Sequence, residues 1–192
     1  MYEGLTIGLF GGSFNPAHSG HLHVAKAGLR ELALDHVWWL VSPQNPLKPK
    51  QPSYESRVAT VTALNLSPRM SVSHIESEAG TNYTIDLLRL LKRKYPQTQF
   101  VFLMGADNFN QLPLWKNWQE IIATFPIAII ARPGEPVKAR LGRVARQYAD
   151  DRIHEERSHI LAKMTAPRWT YLTLPLDSAS SSVIRAKLAS SD

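Results

Sequence analysis

The chain has 192 residues, 44% hydrophobic and 20% charged, enough for one substantial core and without a linker-like shift in composition, so a single domain over 1–192 is expected. Cysteine is absent, which excludes disulfides, thiolate metal sites and cysteine nucleophiles. No opening segment resembles a signal peptide and no apolar run approaches the roughly 20 residues that span a bilayer, so the expectation is a soluble, cytoplasmic protein with no membrane partner.

The formal charge of +6 and a pI near 9.7 raise nucleic acid as a partner. Between Arg132 and Arg168, nine Lys and Arg face five Asp and Glu. Arginines 140, 143 and 146 have the spacing of a solvated helix face, and phosphate-bearing substrates account for a moderate basic excess equally well.

In chain order, the apolar run Leu5–Phe10 reads as a buried first strand. It enters Gly11-Gly12-Ser13-Phe14-Asn15-Pro16-Ala17-His18-Ser19-Gly20-His21, and Leu22, Ala25, Leu29 and Leu32 then recur at helical spacing, predicting a helix over Gly20–Leu32. Val37–Val41 is a second strand. Ser42–Ser53 carries four prolines and the lysines 48 and 50, so it reads as an extended, stiffened loop. Ser53 is placed to cap a helix through Val58, Val61 and Leu64.

Ser71–Ile75 alternates as a short third strand. Thr81–Thr84 offers capping side chains for a helix carrying Ile85, Leu88 and Leu91, stopped by Pro96. Phe100–Met104 is the strongest buried-strand signal, and it runs into Gly105-Ala106-Asp107. Asn117 with Glu120 predicts a capped short helix over Trp118–Phe125, with Asp107 a possible helix cap as well. Pro126–Ala131 is a fifth strand, ended by Arg132-Pro133-Gly134, and a helix is expected from Lys138 to about Tyr148. Asp150–Pro167 is too mixed to assign; Trp169–Leu174 alternates as a last strand, and Ser180–Ser182 caps a closing helix with Val183, Ile184 and Leu188. Strands alternating with helices imply an α/β fold, a Rossmann-like parallel sheet covered on both faces.

Ligands in such sheets bind beyond the strand C-termini. The glycines at 8, 11 and 12 do not form the dinucleotide fingerprint, the second strand ends in Val41-Ser42-Pro43 without an acid, and no P-loop sequence occurs. The first turn offers two glycines for close backbone approach, the Ser13 hydroxyl, and two histidines at a helix N-terminus, where free N–H groups and the helix dipole attract anions. His21 and His23 point to different sides of a helix and have no carboxylate nearby in sequence, which argues against a metal site. Capping or packing is the ordinary role of a single histidine. A pair flanking a glycine directly after a Gly-Gly turn points to phosphate handling.

Ser13 through His21 resembles the (Thr/Ser)-x-x-x-x-His-x-Gly-His signature of the nucleotidylyltransferase superfamily, and Ser180-Ser181-Ser182-Val183-Ile184-Arg185 resembles its second signature. Asn45-Pro46-Leu47-Lys48, Asn82-Tyr83-Thr84, Gly105-Ala106-Asp107, Leu112-Pro113-Leu114-Trp115 and Arg132-Pro133-Gly134 are similar to stretches of the bacterial nicotinate-nucleotide adenylyltransferase family. The resemblance implies adenylyl transfer from ATP, with Mg²⁺, to nicotinate mononucleotide. Sister transferases acting on nicotinamide mononucleotide or phosphopantetheine share both signatures.

On this resemblance His18, His21, Lys48 and Arg185 are the catalytic candidates. Gly11, Gly12, Ser13, Phe14, Gly105, Asp107, Ser181 and Ser182 join them around ATP, while Gly12, Ser13, Tyr83, Thr84, Asp107, Trp115 and Arg132 are the expected mononucleotide contacts. Backbone donors near Tyr83 and Thr84 would receive the nicotinate carboxylate, Trp115 would face the pyridine, and Asp107 would reach ribose hydroxyls. Asn15 and Leu47 depart from the common Asp and His of the family pattern, and oligomeric state stays open.

Overall fold

A computed structural model describes residues 2–43, 51–131, 140–173, 181, 182, 184 and 185. Its centre is β1 (Thr6–Gly12), a strand with five buried residues and two half-buried glycines at its end. β1 lies between β2 (His36–Val41) and β4 (Gln99–Gly105), parallel to both, with Leu9 opposite Trp38 on one side and Phe102 on the other. β3 (Met70–Ser73), β5 (Ile127–Ile130), β6 (Arg152–Ile153) and β7 (Trp169–Leu172) complete a seven-stranded sheet of order β3-β2-β1-β4-β5-β7-β6. All six pairings are parallel.

From β1 the chain first builds outward through β2 and β3, then returns to lay β4 on the other side of β1. The direction of winding reverses at β1 and β4, which opens a crevice beyond their C-terminal ends.

Period-two alternation sends successive residues of these strands into two cores. Leu9, Leu40, Phe102 and Met104 pack with Leu88, Ile121 and Trp118 on one face; Phe10, Trp39, Val101 and Leu103 pack with Val24, Ala25 and Leu161 on the other. The helix α1 (Ser19–Glu31) covers the second face. A Cβ at Gly28 of α1 would stand 2.9 Å from Leu103 Cδ1, so glycine there lets the helix settle against the strand layer.

The other helices are α2 (Tyr54–Thr62), α3 (Ile75–Glu78), α4 (Thr84–Lys94), α5 (Ala106–Gln111), α6 (Trp118–Thr124) and α7 (Arg143–Gln147). Ser53 caps α2 as expected, its Oγ accepting from Ser56 N at 3.1 Å.

Several local expectations change. The third strand stops at Ser73, and Ile75, expected to end it, opens α3. Asn117 does precede α6, but at φ 51° and without a side-chain cap; Glu120 stays beside the Asn117 side chain and is also held by Arg89, whose Nε and Nη2 meet its carboxylate at 2.7 and 2.5 Å. Gly105, not Asp107, is the cap residue of α5. β7 ends at Leu172. The stretch that resisted assignment holds β6, which pairs along only Arg152 and Ile153, and a run of 3₁₀ turns over Glu155–Lys163. Such short pairing and 3₁₀ geometry carry too little periodicity to read.

Arg140, Arg143 and Arg146 are exposed, but the helix expected from Lys138 to about Tyr148 is broken at Gly142, whose extended backbone starts α7 at Arg143, so Arg140 lies before the helix that carries the other two. Two of them also cover aromatic rings, Arg140 over Tyr171 at 4.5 Å and Arg143 over Trp118 at 5.6 Å. Among the described residues no helix is long and apolar enough to cross a membrane.

Candidate active site

The first turn is shaped by packing beneath it. Phe14 turns back at φ 46° and buries its ring against Phe10 and Trp39, with centroids 5.3 and 5.1 Å away. A Cβ on Gly12 would lie 2.9 Å from that ring, so glycine at this position is required by the close approach.

Beneath the turn sits a residue that sequence reasoning missed. Arg57 of α2 is 1% exposed. Its Nη1 donates to Ser13 O at 2.9 Å and Ser42 O at 2.7 Å, Nη2 to Pro43 O at 2.6 Å, and Nε to Pro52 O at 3.1 Å. One guanidinium therefore fastens the turn after β1 to the loop after β2. The available signal was its place four residues before buried Val61, on the inward face of α2.

His18 and His21 open α1, both buried, their ring centroids 3.8 Å apart. His18 is the cap residue, and its backbone N–H donates to His21 Nδ1 at 3.3 Å. The third helical residue thus reaches back as a capping-box glutamate would. This bond makes Nδ1 the acceptor and leaves Nε2 as the donor of a neutral His21 ring. His21 packs edge-on against Phe14 at 5.1 Å, which fixes the ring plane.

The two signatures meet although they lie at opposite ends of the chain. Ser181 Oγ donates to Pro16 O at 3.0 Å, and Arg185 Nη1 donates to Asn15 O at 2.5 Å while its Nη2 reaches Ser182 Oγ at 3.2 Å.

On the other side of the turn is a pocket whose walls include Gly11, Gly12, Ser13, Leu40, Ser42, Glu76, Tyr83, Thr84, Trp115 and Lys116. Leu40, Leu87, Phe102 and Ile121 of its lining belong to the first core face, whereas His21 packs on Phe10 and Phe14 of the second. The Gly11–Ser13 turn therefore separates two half-sites.

Tyr83 is the cap residue of α4 and offers no side-chain cap, so the first N–H groups of that helix are left for a ligand. Thr81 Oγ1 accepts from Tyr83 N at 3.1 Å instead. Trp115 is half-buried against the first core. Lys116, also missed in the sequence, holds its Nζ 4.2 Å from the Tyr83 ring centroid and 3.4 Å from Asp86 Oδ2. Asp86 is in turn bound by Arg89 at 3.1 Å.

The structure thus brings Gly11, Gly12, Ser13, Tyr83, Thr84 and Trp115 to one pocket, and His18, His21, Phe14, Ser181, Ser182 and Arg185 to the adjacent turn. Gly105 and Asp107 stand at the junction of β4 and α5, where Asp107 Oδ1 is buried with no hydrogen-bond partner. Asp107 is not part of the pocket wall. Lys48, Arg132 and the capping role of Ser180 lie outside the described residues.

Among the described residues no group of three His, Asp or Glu could hold a metal ion. The donors around the turn are imidazole, guanidinium and backbone N–H. They suit phosphate oxygens, and they fit a magnesium ion that arrives with a triphosphate and keeps water and phosphate as its ligands.

Known proteins share the sequence pattern and the fold. The Cytidylyltransferase-like family model matches residues 9–187. A protein of Parvibaculum lavamentivorans is 48% identical over 189 residues, covering 97% of this chain and 94% of its own; one of Ruegeria pomeroyi is 46% identical over 184 residues, covering 95% and 86%. Both carry the name Probable nicotinate-nucleotide adenylyltransferase. Among solved structures, Plasmodium falciparum nicotinic acid mononucleotide adenylyltransferase complexed with NaAD superposes with a TM-score of 0.74 at 19% identity, over 95% of this chain and 83% of that one.

Proposed function

Because the chain belongs to the cytidylyltransferase-like family, within its nicotinate-nucleotide adenylyltransferases, we infer that it transfers the adenylyl group of ATP to nicotinate mononucleotide, giving deamido-NAD and pyrophosphate. The observation that carries this reading is the meeting of Arg185 with Asn15 and of Ser181 with Pro16, which joins both phosphate-handling signatures beside the pocket.

An oxygen of the mononucleotide 5′-phosphate attacks the α-phosphorus of ATP. The new P–O bond forms as the bond to the β-phosphate bridge oxygen breaks, and the electron pair leaves with pyrophosphate. No covalent enzyme intermediate is needed, so the protein contributes alignment and charge neutralisation. The Gly11–Ser13 turn, between the two half-sites, is where the two phosphates would meet.

His21 Nε2 and the His18 ring would donate to the α- and β-phosphates. Arg185, held by Asn15 O and Ser182 Oγ, would neutralise the leaving pyrophosphate with Lys48. Magnesium enters with ATP as part of the substrate and supplies further neutralisation.

In the pocket, Trp115 would stack on the pyridine, and the first N–H groups of α4 would receive its carboxylate. The Lys116 ammonium, over Tyr83, makes this end of the pocket favour an acid over an amide. Arg132 is assigned to the mononucleotide and Asp107 to a ribose hydroxyl.

The deciding experiment is pyrophosphate release from ATP and Mg²⁺ with nicotinate mononucleotide, nicotinamide mononucleotide and phosphopantetheine in parallel. Turnover fastest with the acid is expected. Silence with all three would overturn the transferase reading, and equal or faster turnover with the amide would overturn the acid preference.

A further inference from the structure

One pocket residue has no part in the reaction as described. Glu76 lies on α3, is 6% exposed and faces the pocket. Among the described residues no hydrogen-bond donor or cation bonds its carboxyl. Arg57 is near enough to act on it electrostatically, but three of that guanidinium's nitrogens are already committed to four carbonyls. A largely buried carboxyl that opens only onto a pocket is poorly solvated, and a ligand that supplies a donor there offsets that cost. Burial pushes this carboxyl up to about 7.

Its position limits what the ligand group can be. Glu76 follows β3 and shares the pocket wall with Leu40 and Ser42 of the β2 end, whereas Trp115 and Lys116 follow β4 and α5, with Lys116 over the Tyr83 ring. With the pyridine at Trp115 and the phosphate at the Gly11–Ser13 turn, the anionic ends of the mononucleotide are already taken, and either anion would be repelled by an ionised glutamate. The sugar between them carries two hydroxyl donors.

We propose that Glu76 is the substrate-binding residue for the ribose of the mononucleotide, its carboxyl accepting a hydrogen bond from one or both ribose hydroxyls. This rests on the adenylyl-transfer reading above. It divides the carboxylates of the site, leaving Asp107 for hydroxyls outside this pocket.

The test is a cycle between residue and hydroxyl, comparing nicotinate mononucleotide with its 2′-deoxy and 3′-deoxy analogues on wild type, Glu76→Gln, Glu76→Ala and Asp107→Ala. In wild type at least one analogue should lose about tenfold or more in kcat/KM, as for a hydrogen bond to a charged group. That penalty should shrink in Glu76→Gln, which keeps an acceptor, vanish in Glu76→Ala and persist in Asp107→Ala, with the KM for ATP unchanged in both Glu76 variants. A full deoxy penalty in Glu76→Ala, or one abolished by Asp107→Ala instead, overturns the assignment. Wild type turning over the natural substrate without a deoxy penalty overturns it as well, while leaving the transferase reading intact; wild type making no product overturns both.

Discussion

Arg185 and Asn15, 170 positions apart in the chain, are joined by a 2.5 Å hydrogen bond from the guanidinium to the backbone carbonyl. The bond sets Arg185 over the first turn, with Ser182 Oγ as its second anchor at 3.2 Å. A lysine carries the charge but not the planar fork needed to hold two acceptors while facing a phosphate. Arg185→Ala is expected to lose about a hundredfold in kcat, as when other preorganised charge-stabilising donors are removed. Arg185→Lys should recover only a small part of it. Steady-state kinetics with ATP varied at saturating mononucleotide checks both, and near-normal turnover in Arg185→Ala would exclude a role in the reaction.

His21 has a capping bond and a proposed catalytic donor on opposite ring nitrogens, so the two can be separated. Glutamine at the third helical position can accept the His18 N–H as histidine does. His21→Gln should keep thermal stability close to wild type, whereas His21→Ala should lose about 1 kcal/mol. Both should lose about a hundredfold or more in turnover. Thermal melts alongside kinetics decide it; retained turnover in either variant removes His21 from the chemistry.

Arg57 is expected to matter for folding first. Arg57→Met removes the donor of four carbonyls, at Ser13, Ser42, Pro43 and Pro52, and buried acceptors left without donors put the loss at about 3 kcal/mol or more. Arg57→Lys cannot reach all four. Urea unfolding measures the loss, and a change under 1 kcal/mol, on the scale of one hydrogen bond, would show that the loops hold their own shape.

Glu76 gives the protein a pH signature. Burial raises its pKa from 4.5 to about 7, so the folded state holds a proton that the unfolded state releases. The contribution of this group to stability is therefore fully present below about 4.5, falls as pH rises from there to about 7, and levels off above that, while Asp35 and Glu120, with carboxyls held below the usual range, act in the opposite sense in acid. Glutamine has nothing to ionise. Glu76→Gln should match wild type near pH 4 and exceed it at pH 8 by an amount on the order of 3 kcal/mol. Denaturant melts at both pH values read this directly; a gap that does not grow with pH would mean that the carboxyl is solvated after all.

Lys116 and Trp115 should separate by substrate. Trp115→Ala is expected to raise KM for the mononucleotide about tenfold while leaving KM for ATP unchanged, because one stacking partner of the pyridine is lost. Lys116→Met should lower kcat/KM for the acid and leave the amide nearly unaffected, since only the acid carries the opposite charge. An unchanged acid-to-amide ratio would place carboxylate reading entirely on backbone N–H groups.

What the sequence determined by itself was the main strands and helices and the motifs at their ends, where local repetition and local chemistry are strong. The apolar period of β1 and β4, the glycine pair that follows, the histidines at the head of α1 and the closing serine-arginine segment were all legible, because strand burial, tight turns and helix starts each impose residue types at short spacing. The tertiary structure alone decided which charged residues are buried and what they face. Arg57 and Glu76 sit in segments that read as an ordinary helix and a strand end, and Glu120, legible only as half of a cap pattern with Asn117, is also bound by Arg89, 31 positions away. The desolvation of a charge, and the partner that offsets it, come from segments distant in sequence, so no local pattern records them. The meeting of the two signatures has the same origin: each is readable alone, but the bonds from Arg185 to Asn15 and from Ser181 to Pro16 exist only after the sheet has placed them together.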